Sequence, residues 1–276
     1  MANFKDIYKD ILIKVYDQGV CETNKRTNTL IKVAREPIFF NIDLSNNLLP
    51  IAGNRTIWPH IAAAEVAWQT QGTKDPEFIL KYAPKLWSKF IEDGELKSAY
   101  GYRWHKNFNR DQIKLAIEAL IEDPTNRQVY ISNWDPSTDG LGEPNQPKNI
   151  PCPLGFTLNI IDNKLNMSVM IRSSDVYVGL PYDVLAYSLT LDLIAKTLGI
   201  SKGNISFTLS HAHIYQPHFK AVEENLRGDQ TEFKDINIEF KQATYSQVQT
   251  YPDVFVKVYK EEKIENFWNP KPEVIE

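Results

Sequence analysis

Residues 156–198 read FTLNIIDNKLNMSVMIRSSDVYVGLPYDVLAYSLTLDLIAKTL, and two different periodicities follow one another within them. Phe156 to Ile161 and Leu165 to Ile171 are β-rich, and Leu165, Met167, Val169 and Ile171 share one side, because successive side chains of a strand point to opposite faces. The intervening Asp162-Asn163-Lys164 predicts a hairpin loop joining two antiparallel strands. From Val184 the period changes to that of a helix: Val184, Tyr187, Leu191, Ile194 and Leu198 form one stripe, and Gly199 supplies the stop. With no glycine-rich phosphate loop and no regular strand-helix-strand rhythm, this combination favours an α+β fold over a doubly wound sheet.

The flanking sequence extends the pattern. Trp58 to Gln71 is Ala-rich, has Pro59 near its start and meets Gly72 at its end, which predicts a buried helix whose only carboxylate is Glu65. Between Asp111 and Glu122, residues Ile113, Ala116, Ile117, Leu120 and Ile121 recur at helical spacing and stop before Pro124. Gln128 to Ser132 is a short strand candidate. The stretch from Asp135 to Pro153 contains five prolines, which predicts a loop carrying Cys152 at its end. Ile205 to Ser210 predicts another strand, running into His211-Ala212-His213-Ile214-Tyr215. No repeat, low-complexity tract or linker divides residues 1–276, so one domain is expected.

Composition narrows the functional classes. Of 276 residues, 42% are apolar and 24% charged, with 13 Phe, 13 Tyr and 6 Trp, enough to build a substantial core. A net charge of -4 and a pI near 5.8 argue against binding a nucleic acid polymer, which needs a concentrated basic surface. No apolar run approaches the roughly 20 residues that cross a bilayer, and the polar N-terminus from Met1 to Lys9 is unlike a signal peptide. A cytoplasmic protein without a membrane partner is the expectation. Cys21 and Cys152 lie in dissimilar contexts, and in a reducing compartment both are expected as free thiols.

Four stretches in order resemble the thymidylate synthase superfamily: Ala64-Glu65-Val66-Ala67-Trp68; Pro151-Cys152; Arg172-Ser173-Ser174-Asp175 with Gly179-Leu180-Pro181-Tyr182-Asp183; and His213-Ile214-Tyr215 with His218. The intervals also look like the family's, 20 residues from Cys152 to Arg172 and 11 from Arg172 to Asp183. The similarity runs from about Arg26 to Leu226, leaving 227–276 as a divergent segment. It implies a layered α+β domain, a large mixed sheet packed against helices, with one sheet face used in a homodimer whose active sites draw on both subunits. It also implies 5,10-methylenetetrahydrofolate as cosubstrate, a pyrimidine deoxynucleoside monophosphate as substrate, and no metal.

The chemistry is consistent with the residue types. C5 of a pyrimidine becomes nucleophilic only after something adds to C6, and a thiolate can add and later leave. Cys152 matches the family's nucleophile, and Arg172 beside it is expected to favour the ionised sulfur. Arginine is the residue of choice for phosphate. Arg172 and Ser173 match one part of the family's phosphate site, Arg26 resembles its mobile N-terminal arginine, and Arg127 matches an arginine donated by the neighbouring subunit. Gln128 stands where the family usually has a second arginine. Glu65, on an apolar helix, matches the general acid/base, with a pKa raised by desolvation. His213 and Tyr215 match the pair that binds the sugar 3′-hydroxyl, and lie on one side if the segment is extended. Asp175 falls among the substrate-binding positions, while Trp87 and Tyr100 fall among the catalytic ones. His211, His213 and His218 lack the Cys or carboxylate partners of a metal site.

Asp183 stands where thymidylate synthases carry asparagine. A carboxylate accepts from the 4-amino group of cytosine and can stabilise protonation at N3. Aspartate here resembles the phage deoxycytidylate hydroxymethylases, as do Pro153 in place of histidine after Cys152 and the run Leu86-Trp87-Ser88-Lys89-Phe90 with Gly94-Glu95-Leu96. Aspartate is also a favoured N-cap, and Asp183 immediately precedes the helix expected from Val184. The expected reaction is conversion of deoxycytidylate to its 5-hydroxymethyl derivative. A thymidylate synthase, a deoxyuridylate hydroxymethylase, a cytidylate enzyme or a silent nucleotide- or RNA-binding relative are the alternatives.

Overall fold

The two strands of the central hairpin are joined by a turn of two residues, not three. Asp162 and Asn163 both take positive φ, 52° and 55°, and Lys164 already pairs with Ile161. A two-residue turn whose twist matches its strands needs left-handed backbone at both positions, which Asp and Asn tolerate best. The computed structural model describes residues 3–52, 56–142, 144, 146–227 and 236–262. Its strands are β1 (Val20–Asn24), β2 (Thr29–Val33), β3 (Ile38–Asp43), β4 (Tyr130–Ser132), β5 (Pro153–Ile161), β6 (Lys164–Ile171), β7 (Ser174–Asp175), β8 (Ser201–Leu209) and β9 (Ala212–Tyr215).

These build two mixed sheets packed with helices, an α+β architecture. The larger has the order β3-β8-β6-β5-β4 and the smaller β1-β2-β9-β7. β6 and β8 are parallel, joined by a strand-helix-strand crossover through the helix Leu180–Leu198. That helix begins four residues before Val184 and ends at Gly199, whose φ of 69° is the left-handed conformation that suits glycine. The inner face of β6 is the one expected, with Leu165, Met167, Val169 and Ile171 all buried against the crossover helix. The outer face of the large sheet exposes Phe39, Tyr130 and Met170.

The Ala-rich helix spans Pro59–Thr70, and Ala62, Ala63, Ala64, Val66 and Ala67 are completely buried. Methyl-sized side chains let three neighbours approach its backbone. The crossover helix lies on one side, and Tyr245–Thr250 and Pro252–Lys260 lie on others. Part of the segment beyond Arg227 therefore completes the core, through Tyr245, Val248, Phe255, Val256 and Tyr259. The expected amphipathic helix is Gln112–Glu122, capped by the Asp111 carboxylate on the Lys114 amide. The proline-rich loop contains one short helix, Pro136–Asp139. Among the described residues no helix is long and apolar enough to cross a membrane.

Candidate active site

Three structural devices converge on Cys152. The first is the end of the proline-rich loop, where Arg172 ties down the approach to the cysteine. Its Nε donates to the Pro151 carbonyl at 2.9 Å and its Nη2 to that of Ile150 at 3.1 Å, while its backbone N–H bonds the Cys152 carbonyl at 2.9 Å. The second is the parallel pairing of β7 with β9, which sets Asp175 opposite His213. Oδ1 of Asp175 accepts from the amides of Tyr177 and Val178, and its carbonyl accepts from Gly179, folding the chain into the crossover helix. The third is that helix's first turn. Gly179 occupies the cap position and Pro181 the first turn, so Asp183 sits inside the helix and does not cap it. The expected capping role is thereby replaced: the Asp183 carboxyl is left for the site.

Asp183 is deprived of water, and this outweighs the favourable helix N-terminus. Burial first, then the charges of Glu65 and Asp175, push its pKa up to about 8. Glu65 is raised by burial to about 7 despite a 3.3 Å hydrogen bond from the Trp87 indole, and its charge is one of the causes that raise Asp183. Trp87 is braced against Trp68, ring centroids 5.4 Å apart.

The thiol of Cys152 is also held protonated. Burial raises it to about 11, and Asp183 adds to the rise, whereas Arg172 and Arg26 oppose it without prevailing. The expected ionising effect of Arg172 is present, but desolvation wins. Tyr100 lies against the same loop, where the backbone of Cys152 hydrogen-bonds its hydroxyl. The close approach needs Gly101, because a Cβ there would fall 2.1 Å from the Gln69 carbonyl oxygen of the Ala-rich helix.

His213 and Tyr215 share one side of β9 as expected, with ring centroids 4.9 Å apart. Arg26, in the turn between β1 and β2, reaches the Tyr215 hydroxyl through Nη2 at 3.4 Å. Burial lowers the pKa of His213, favouring neutral imidazole. Ser173 follows Arg172 between β6 and β7. Cys152, Glu65, Asp183, Trp87, Tyr100, Arg26, Arg172, Asp175, His213 and Tyr215 are thus linked by hydrogen bonds, strand pairing or mutual electrostatic influence.

Arg127 is apart. The carbonyl two residues later, on Val129, accepts from Leu158, six residues along β5 from Cys152. At about 3.3 Å per residue that is roughly 20 Å. Arg127 is exposed and lines an open cleft with Asp123, Thr125, Asn126 and Gln128. Both cysteines are free, Cys21 exposed and Cys152 partly buried. Among the described residues no group of three or more His, Cys, Asp or Glu is placed to hold a metal ion.

A buried polar group behind the loop has no counterpart in any local sequence pattern. Arg103 and Asp139 form a fork-to-fork ion pair, Nη2 to Oδ1 at 2.8 Å, both nearly inaccessible, and Arg103 also donates to the Asn133 carbonyl. The one available signal was Tyr187, which is one helical turn after Asp183 and shares its face.

The chain matches the thymidylate synthase family over residues 6–267, wider than the span of its short motifs. It is 25% identical over 237 residues to a protein named thymidylate synthase from Corynebacterium aurimucosum, covering 84% of this chain and 85% of that one.

Proposed function

The chain belongs to the thymidylate synthase family, and from that premise we propose that it converts deoxycytidylate to 5-hydroxymethyl-deoxycytidylate through a bond between Cys152 and C6 of the base. As a family member it is a one-carbon transferase acting at C5 of a pyrimidine nucleotide, with methylenetetrahydrofolate as cosubstrate. The observation that carries the cytosine reading is Asp183, an aspartate held neutral near pH 7 on the first turn of the crossover helix. A neutral carboxyl presents one O–H donor and one acceptor. Its O–H meets N3 of cytosine, and its carbonyl oxygen meets the 4-amino group.

The roles follow from that pose. As sulfur adds to C6 and gives up its proton, Asp183 delivers one to N3, so that the ring becomes an enamine with a nucleophilic C5. The folate supplies carbon at the formaldehyde level. Glu65, with its pKa near 7, accepts a proton from the water that adds to the resulting exocyclic methylene, and Trp87 borders that carbon. The partly exposed indole of Trp87, bonded at its edge to Glu65, offers the apolar face and polar rim that suit a flat pterin. Tyr100, against the Cys152 loop, acts in proton transfer at C5. His213 and Tyr215 hold the sugar 3′-hydroxyl, with Asp175 beside them. Arg26, Arg172 and Ser173 bind the phosphate.

Arg127 reaches a phosphate only in a second copy of the chain, since its own Cys152 lies far along β5. The exposed Phe39, Tyr130 and Met170 on the large sheet support a homodimer through that face, with a single domain per subunit.

A second reading has its own support. With donor and acceptor exchanged, a neutral Asp183 also matches N3–H and O4 of uracil, and the named relative is a thymidylate synthase. Incubation with methylenetetrahydrofolate and either deoxycytidylate or deoxyuridylate separates the two. Hydroxymethyl-deoxycytidylate without dihydrofolate is the expected product. Thymidylate and dihydrofolate from deoxyuridylate, with deoxycytidylate inert, would sink the cytosine reading.

A further inference from the structure

His211 immediately precedes β9 and His213 lies within it, two residues on, so the two rings fall on one side of the chain. Their centroids are 5.3 Å apart, and Nδ1 of one ring faces Nδ1 of the other at 3.3 Å. Nδ1 of His213 is also 3.3 Å from the His211 carbonyl oxygen, which is itself fixed by accepting the Ser174 amide at 2.9 Å. His211 is exposed and His213 buried, so the inner ring is the one whose polar atoms need partners.

These contacts decide which nitrogen of His213 carries hydrogen. A carbonyl oxygen only accepts, so Nδ1 of His213 holds the proton and points it between two acceptors, that carbonyl and the lone pair on His211 Nδ1. Burial favours the neutral form of His213, and a neutral imidazole has a single N–H. Its Nε2, which bonds to none of the described residues, therefore presents a lone pair. Tyr215 is the complement: its oxygen accepts from Arg26 Nη2 at 3.4 Å, which leaves its O–H to donate. A ligand group between the two must donate to His213 and accept from Tyr215. A free hydroxyl does both, whereas an esterified oxygen has no proton to give.

We propose that His211 is a positioning residue whose Nδ1 holds His213 as the Nδ1–H tautomer, so that Nε2 accepts from the sugar 3′-hydroxyl while Tyr215 donates to it. The inference rests on His213 and Tyr215 as the residues that meet the sugar, and it is independent of the base and of Cys152.

The tautomer is read directly by long-range proton–nitrogen NMR correlations in the nucleotide-free protein at about pH 8, above the ordinary titration range of imidazole. The chain has five histidines, and the signals lost in His213→Gln assign the ring in question. In the wild type Nδ1 of His213 should carry the hydrogen and Nε2 should be bare. In His211→Ala the hydrogen should shift toward Nε2, and His211→Asn, whose Oδ1 can accept where Nδ1 did, should restore the first pattern. A bare Nδ1 in the wild type, no change in His211→Ala, or no restoration by His211→Asn overturns the proposal. Nucleotide affinity, followed by tryptophan fluorescence with deoxycytidylate and deoxyuridylate, gives the second readout. His211→Ala should weaken binding about fivefold, the worth of one ordinary hydrogen bond, and should leave the affinity for the corresponding dideoxynucleotide unchanged. Equal weakening for both sugars would mark a merely structural role and refute the proposal. Equal affinity of the wild type for the two sugars would instead remove the premise that His213 meets the sugar, an outcome distinct from any change in tautomer.

Discussion

Replacing Asp183 by asparagine keeps the shape of the side chain and removes its titration. In the wild type the folded-state pKa is about 8 against an ordinary 3.8, so the folded protein keeps a proton that the unfolded chain releases. When the folded state binds more protons, stability falls as pH rises. The loss begins as pH passes 3.8 and is complete once it exceeds about 8. At about 1.4 kcal/mol per pH unit, the wild type gives up on the order of 4 kcal/mol between pH 5 and pH 9 that the variant retains. Glu65 titrates in both proteins with the same sign, so it largely cancels. Urea unfolding of the two apo proteins at pH 5, 7 and 9, followed by tryptophan fluorescence, measures the difference. Stability curves that run parallel from pH 5 to pH 9 would show that Asp183 is not the buried, proton-holding group argued for, and the hydrogen-bonding pattern offered to the base would have to be redrawn.

The same substitution should move substrate preference toward deoxyuridylate, read as the ratio of kcat/KM for the two nucleotides; an unmoved ratio removes Asp183 from base selection. Cys152→Ala should lower product formation by at least about 1000-fold, since none of the other residues gathered at the site is a thiol that can add to C6. Glu65→Gln should cost about 100-fold or more in kcat and abolish the limb of the pH profile near 7, the position of the Glu65 pKa. Asp139→Ala strands the Arg103 charge in the interior and should destabilise the protein by about 3–5 kcal/mol in urea unfolding. Mixing inactive Arg127→Ala with inactive Cys152→Ala should restore part of the activity, because a mixed pair assembles one site from two intact halves; no recovery would argue against a shared site.

Local pattern revealed much of this architecture. The alternation of Leu165, Met167, Val169 and Ile171 and the alanines around Glu65 specify buried faces directly, because burial follows from periodicity whatever the tertiary partner. Cys152, Arg172 and Asp183 were legible through spacing and family resemblance, and the structure brings them together with Glu65. What sequence could not convey was long-range balance. Whether Arg172 or desolvation governs the Cys152 thiol depends on how completely water is excluded, and exclusion comes from segments far away in the chain. The crossover helix starts earlier than its apolar stripe indicates because Gly179 and Pro181 look like turn residues, although proline is well suited to a helix's first turn. Arg103, Asn133 and Asp139 are ordinary polar residues in sequence, and only their shared enclosure makes them a unit.

The helix Pro252–Lys260 rests on the Ala-rich helix that bears Glu65, more than 180 residues earlier in the chain. During synthesis, then, that face of the Ala-rich helix stands uncovered until residues 252–260 have emerged from the ribosome. At elongation rates of about 5–20 residues per second, that leaves an apolar groove open for roughly ten seconds or more. A growing chain of this kind has reason to engage a chaperone late, and a product cut short before Tyr245 would be a client for proteolysis and not a slower enzyme.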